Sequence, residues 1–459
     1  MTYATPVARP DRKGTFAALR VPNYRLFFGG QAVSLSGTWM QTIAQGWLVL
    51  RLGGSGTQLG LITAAQFLPV LLLGAYGGLI ADRADKRKLL IATQCASALC
   101  AGTLAVLDLT GVVTLWMVAL VAACLGIVNA ADNPARQSFV HEMVGPDHLS
   151  NAVTLNSVLV NAARAVGPGI AGALITLFGT GPCFAVNCAS FLAVIVALAR
   201  MDSTALRVRP PVVRAKRQVR DGLTYVARTP QLKVPLLMMA LVGALSYEFQ
   251  VVLPLVARET FHGGAGTYSV LTSAMGVGAV TGGLLVARHG AASISGTTGV
   301  ARAAIGFGAV IGLAAAAPIL PLEIVALLLV GAGSVAFLAT GNSTLQLVSA
   351  PQMRGRVMSL WAIAFLGSTP VGGPIAGWVS TAVGARAGLA MGAAAAILAG
   401  IYGLVSARRL ALRESAERDL GRADLARADL VPADLVPADL VPADLVPADL
   451  VPADLVPAD

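Results

Sequence analysis

Apolar residues run along this chain in long stretches parted by short polar breaks. The stretches cover 24–50, 57–80, 89–108, 113–132, 151–178, 181–200, 233–257, 267–287, 299–317, 322–346, 356–380 and 386–407. Each is 19 to 28 residues long, and about 20 helical residues cross the hydrocarbon layer of a bilayer. Glycine and proline punctuate the runs without ending them, as they do in membrane helices. The pattern predicts an all-α integral membrane protein with twelve transmembrane helices.

The only long polar stretch between runs is 201–232, which contains RVRPPVVRAKRQVRDGLTYVARTPQ. It separates an N-terminal six-helix bundle (24–200) from a C-terminal one (233–408), with a short segment (1–23) before them and a tail (409–459) after. GGLIADR at 77–83 aligns with GGLLVAR at 282–288, and VGPGIAG at 166–172 with VGGPIAG at 371–377, both 205 residues apart. A shared offset predicts a parallel pseudo-repeat relating the bundles, although small-residue packing faces also resemble one another. From about residue 419 the tail repeats every five residues, as GRADL, ARADL and six copies of VPAD. This resembles the pentapeptide repeats that wind as a square β-helix. The proline in each later copy removes a backbone donor, so a solvated, acidic, low-complexity segment is the alternative.

Composition strengthens the membrane reading: 56% of residues are hydrophobic and the mean hydropathy is +0.74, against roughly 45–50% apolar residues in soluble domains. The net charge of +10 would suit a nucleic-acid partner, but its placement argues against one. Arg9, Arg12, Lys13, Arg20 and Arg25 precede the first run; Arg83, Lys86, Arg87 and Lys88 follow the second; Arg136 follows the fourth; Arg207 to Lys233 part the sixth from the seventh. The alternate loops hold isolated residues such as Arg51, Arg258 and Arg386. This alternation is a topology signal that places both termini in the cytoplasm. The bilayer, and no nucleic acid, is the partner it predicts. The N-terminal MTYATPVARPDRKGTF lacks an apolar signal core, so the first run is expected to act as an uncleaved anchor. Usage rich in Ala, Gly and Arg points to a GC-rich bacterial genome and so to a cell (inner) membrane. Cys95, Cys100, Cys124, Cys183 and Cys188 show no metal-ligand spacing and read as packing residues. No metal or cofactor is expected.

One knot of charge interrupts the apolar pattern. Six of the seven residues from Asp82 to Lys88 are charged, within GGLIADRADKRKLL. The bases alone would serve as a topology signal; Asp82 would not be needed for that. The six-plus-six division and the motif GxxxDRxxxRK, here Gly78, Asp82, Arg83, Arg87 and Lys88, resemble the major facilitator superfamily over about residues 20–410. Asp85 departs from the pattern, standing where most members have a second glycine. The resemblance implies two bundles that alternate access to a central site, with Asp82 latching them at the cytoplasmic face by accepting from a facing helix N-terminus or an arginine. In the second copy Ala287 replaces the Asp and Arg288 is the remaining base, so the latch is expected to be single-sided.

Polar stripes mark the candidate site. Thr154, Ser157, Asn161 and Arg164 recur at spacings of three and four, placing one stripe on the fifth span that runs into Gly167, Pro168, Gly169 and Gly172. A stripe of this kind facing lipid would be costly, so it should face the bundle interior. The glycine-proline stretch is similar to the fifth-helix motif of drug-exporting antiporters. With Asn133, Pro134, Arg136 and Gln137 before it, it resembles the drug:proton antiporter subfamily that includes macrolide and siderophore exporters. A Gly-rich packing face is the structural alternative. Ser34, Thr38, Gln41, Thr42 and Gln45 form a second stripe on the first span, beside Trp39 and Trp47. The resemblance implies that spans one, four, seven and ten line the cavity, which makes Thr38, Gln41, Gln45, Asn342 and Gln346 candidate lining residues. Interhelical hydrogen bonding is the other reading of the same side chains.

Glu248 lies near the middle of the seventh span, flanked by Tyr247 and Gln250. A carboxylate there is expensive unless protonated or paired, so Glu248 is a candidate for proton coupling or cation recognition, with Arg164 a conceivable partner. A structural ion pair is the alternative. Asp108 and Asp132, at span ends, read as interfacial anchors. The leading expectation is a monomeric secondary transporter exporting small amphipathic molecules in exchange for protons. A proton symporter or facilitator importing a nutrient, and a non-transporting scaffold docking partners through the tail, are the other readings. No phosphate-binding loop, zinc-protease motif or nucleophile elbow occurs, and no catalytic residue is expected.

Overall fold

The computed structural model describes residues 14, 16–207, 218–289 and 295–428. Residues up to Leu404 form one compact unit and those from Val405 a second. The first half comprises α1 (Pro22–Arg51), α2 (Gly56–Arg83), α3 (Lys86–Leu109), α4 (Leu115–Phe178) and α5 (Gly181–Ala199). After the short α6 (Gln218–Arg228) come α7 (Pro230–Ser246), α8 (Phe249–Leu255), α9 (Ala265–His289), α10 (Thr297–Ala316), α11 (Leu320–Val348), α12 (Arg354–Leu366), α13 (Thr369–Ala382) and α14 (Ala385–Ala428).

Local chemistry sets several helix ends. Ser55 and Gln58 form a reciprocal capping box at the start of α2. Asp85 caps α3 by accepting from the Lys88 backbone N–H at 3.1 Å, and a glycine there would lack that side-chain acceptor. The departure from the superfamily pattern is thus a helix cap.

Among the described residues ten helices are long and apolar enough to cross a membrane. Two of the twelve expected runs account for the difference. The polar stripe of α1 dilutes its hydropathy, and α4, at 64 residues, contains both the run 113–132 and the run 151–178. At 1.5 Å per residue α4 would measure roughly 96 Å if straight, about three bilayer cores. Gly145 breaks it with φ 66°, just before Pro146, a backbone turn that only glycine makes without strain and that proline keeps from re-forming a helix.

Two other runs are interrupted where continuous helices were expected. Run 233–257 breaks at Tyr247 and Glu248, between α7 and α8, and continues past Pro254 into a π-turn at Val256–Thr260. Run 356–380 breaks at Gly367 and Ser368, between α12 and α13. The tail differs as well: GRADL and the start of ARADL, to Ala428, are the helical end of α14 rather than β-helix, and the VPAD copies lie outside the described residues.

The two halves meet mainly at one end. We call the end carrying Arg83–Lys88, residues 200–207 and α6 the basic end and the opposite one the far end. Near the far end Gly56 and Gly60 of α2 lie so close to Gly377 and Gly373 of α13 that a Cβ would overlap the facing backbone. Thr57 donates its backbone N–H to the Thr381 hydroxyl at 3.2 Å. Gly172 of α4 packs likewise on Ser269 of α9, and Gly276 of α9 on Arg164 and Ala165. One hydrophobic core draws on both halves here, including Val49, Leu59, Leu255 and Ala265. At the basic end each half keeps its own core: Tyr24, Phe27, Phe139 and Leu198 in the first, Val226, Leu232, Leu345 and Val357 in the second. No residue of α2 between Thr63 and Gly77 is buried. The halves are sealed at the far end and parted toward the basic end.

Candidate functional site

Where the seal ends, α1, α2, α4, α8 and α9 enclose polar space between the halves. One cleft, open to solvent, is bordered by Thr38, Gln41 and Gln45 of α1, Thr63 and Gln66 of α2, and Gln250 of α8. Beside it a second cavity is bordered by Trp39, Arg164, Tyr247, Phe249, Gln250 and Tyr268, among others. Thr42 and Gln250 border both.

The α1 stripe does line this space, and its side chains are also tied down. Gln41 accepts from Asn187 of α5 at 2.7 Å, Gln45 bonds Gln66 at 3.3 Å, and the Thr38 and Thr42 hydroxyls donate to carbonyls one turn back. Both readings of the stripe therefore describe the same residues. Asn342 and Gln346 hydrogen-bond each other at 2.7 Å on an exposed face of α11 and border neither cavity.

Arg164 is held over the Trp39 ring, 5.3 Å from its centroid. Gly167, one turn on, packs against Ser36 and Trp39, so the glycine-proline stretch seats α4 on α1 and fixes the arginine at the cavity wall. Pro168 and Gly172 are buried as well, Gly172 against Ser269 of α9, and Asn161 donates to the Ser157 carbonyl at 2.8 Å.

Glu248 does not line either cavity. It is 4% exposed and its carboxylate turns to α13, where it hydrogen-bonds Thr369 and lies against Gly372 and Gly373. Its Oε1 has no hydrogen-bond partner. Among the described residues Glu248 and Arg164 form no ion pair; Tyr247 stands next to both, its hydroxyl donating to the Ser334 carbonyl at 2.8 Å and its ring packed on Phe307 and Phe365. The carboxylate thus sits where two interrupted helices face each other.

The charge knot holds mostly to its own half. Lys86 pairs with Glu142 at 2.6 Å. Arg87 donates to the Leu198 and Ala199 carbonyls at 2.6 and 2.7 Å, capping α5. Gly78 is buried, Asp82 and Arg83 form the last turn of α2, and Lys88 opens α3.

Sequence reasoning missed one cluster. Asp132, expected at an interface, is 1% exposed and accepts from Thr93 at 2.6 Å, Gln94 at 2.9 Å and Arg136, which also reaches Gln31 at 2.5 Å. The i, i+4 spacing of Asp132 and Arg136 was the available signal. Asp108 does anchor, joining Arg51 and Thr180 at the far end. Tyr268, Phe249 and Thr272 were not singled out by any pattern.

The family model of the transmembrane secretion effectors matches residues 13–438. The chain belongs to that family of major facilitator transporters. It is 24% identical over 264 residues to the staphyloferrin A transporter of Staphylococcus aureus, covering 56% of this chain and 64% of that protein. To macrolide efflux protein A of Streptococcus pyogenes it is 23% identical, over 58% of this chain and 68% of that protein. To the multidrug efflux pump Tap of Mycolicibacterium fortuitum it is 24% identical, over 77% and 88%. The chain thus spans under two thirds of the first of these. Among solved structures, a bacterial homologue of the human lysosomal transporter Spinster, inward-facing and occupied, superposes with a TM-score of 0.67 at 14% identity, over 84% of this chain and 96% of that one. Nucleoside transporter NupG, as a point mutant, gives 0.67 at 11% identity, over 83% and 98%. These likenesses establish the transporter fold.

Proposed function

We propose that this secretion effector is a secondary active transporter that exports small amphipathic molecules by alternating access, driven by protons. The observation that supports it most is the one-sided seal: a polar and aromatic cavity between two halves, closed at the far end and parted toward the basic end. Positive-inside placement makes the basic end cytoplasmic, so this is the state that loads cargo from the cell. The kinship with a macrolide efflux protein and a multidrug efflux pump favours outward flux.

Release requires the far-end glycine contacts to part and the basic end to close, with Asp82 latching it. Protons enter the cycle at Glu248. A neutral carboxylic acid sits against Gly372 and Gly373 at far lower cost than a carboxylate, so far-end closure goes with the protonated form. Cargo favours the other orientation, and exchange needs only that each ligand bind the two states differently. The basic residues read as topology signals and helix caps, and no catalytic role enters.

Accumulation of anionic, neutral and cationic fluorescent amphipaths in efflux-deficient cells tests the reading. Wild type should lower the accumulation of at least one class, and both a protonophore and Glu248→Gln should restore it. Raised accumulation would mean import; export untouched by Glu248→Gln would remove the carboxylate from the coupling step.

A further inference from the structure

Arg164 is the one formally charged side chain bordering the two cavities. Its Nε is buried without a hydrogen-bond partner, and among the described residues no carboxylate pairs with it. The first half's other half-buried arginine is handled differently, since Arg136 is paired with Asp132 and bonded to Gln31. A guanidinium presents five donors in a fork that matches a carboxylate, and leaving such donors dry and unmet is costly. Around it stand Trp39, Phe249 and Tyr268, rings suited to an apolar body.

We propose that this cavity selects organic anions, molecules carrying a carboxylate on an aromatic or aliphatic body, with Arg164 as the residue that receives the carboxylate. The inference rests on the export reading and names its cargo. The carboxylate would supply the missing acceptor, and Trp39 would hold the guanidinium in place beneath it. A cationic cargo meets the opposite situation: the cavity wall offers it an unneutralised positive charge, and the nearest acid on the second half, Glu248, turns its carboxylate to α13.

Binding to the purified full-length protein in phosphatidylcholine nanodiscs, free of anionic headgroups, separates this from the direction of transport. Equilibrium dialysis with 1-naphthaleneacetate, its amide 1-naphthaleneacetamide and the cation 1-naphthylmethylammonium should show the acid binding about tenfold more tightly than the amide, the gain of one charge-assisted contact, and the amine most weakly. Arg164→Gln should erase the preference for the acid while keeping amide binding, and Arg164→Lys should retain most of it. Equal binding of acid and amide, tighter binding of the amine, an acid preference that survives Arg164→Gln, or no binding of the acid would each overturn the proposal. The export reading fails on its own terms, in the accumulation assay, whatever the dialysis shows.

Discussion

In the first half Arg164 lies two residues before VGPGIAG and turns its guanidinium to the cavity, against Trp39. In the second half Glu248 lies against the matching stretch VGGPIAG and turns its carboxylate away from the cavity. The contacts beneath are alike: Gly167 sits on Trp39 of α1, and Gly372, 205 residues on, sits on Ala244 of α7, itself 205 residues after Trp39. What differs is the helix that receives the glycine, since α1 is continuous and α7 stops at Ser246. A close-packed glycine contact can thus be kept in both halves while the groups beside it diverge, one facing cargo and the other facing the moving helix.

Breaking the paired arginine of the first half should have the largest effect. Asp132→Ala leaves Arg136 buried without its acid; because that arginine is 25% exposed, we expect the low end of the range for a broken buried pair, about 3 kcal/mol, seen as a fall in Tm by scanning fluorimetry. Gly372→Leu comes next. Its Cβ would overlap the Ala244 carbonyl, which is backbone and cannot turn aside, so about 1–3 kcal/mol of overpacking and loss of transport are expected. Glu248→Gln keeps the shape and the neutrality of the protonated acid, so Tm should hold while proton-driven export is lost; a large drop in Tm would make the residue structural.

The smallest effect lies outside both halves. Thr204 donates its backbone N–H and hydroxyl to Asp202 at 2.9 and 2.7 Å, which holds that carboxyl below its ordinary range. A depressed folded value stabilises the fold above the unfolded Asp value of about 3.9 and stops doing so as pH falls through the folded one. Asp202→Ala should therefore leave the dependence of Tm on pH unchanged from about pH 5 upward.

The helices themselves were legible, because a bilayer forces apolar runs of one length to become helices. So were the close packing of the glycine-proline stretch and the position of Thr38, Gln41 and Gln45 beside the cavity, because polar spacing on a helix fixes a face. The break at Tyr247 and Glu248 was not legible. Neither residue is a helix breaker, Pro254 lies six residues beyond, and α13 with Thr369 supplies the facing contact. Asp132 was misread for a related reason: Thr93, Gln94 and Gln31 come from other helices, and nothing in the linear pattern announces that they converge. Asn342 and Gln346 carried the same spacing on a face where they bond each other and border neither of the two cavities.

Alternating access through the seam between the halves is tested most directly by locking the far end. Thr57 and Thr381 touch across it, so the double variant Thr57→Cys and Thr381→Cys should form a disulfide under oxidant, stop export, and regain it on reduction, with either single variant unaffected. Export that continues in the cross-linked protein would contradict the account, because cargo would then be leaving without the far end opening.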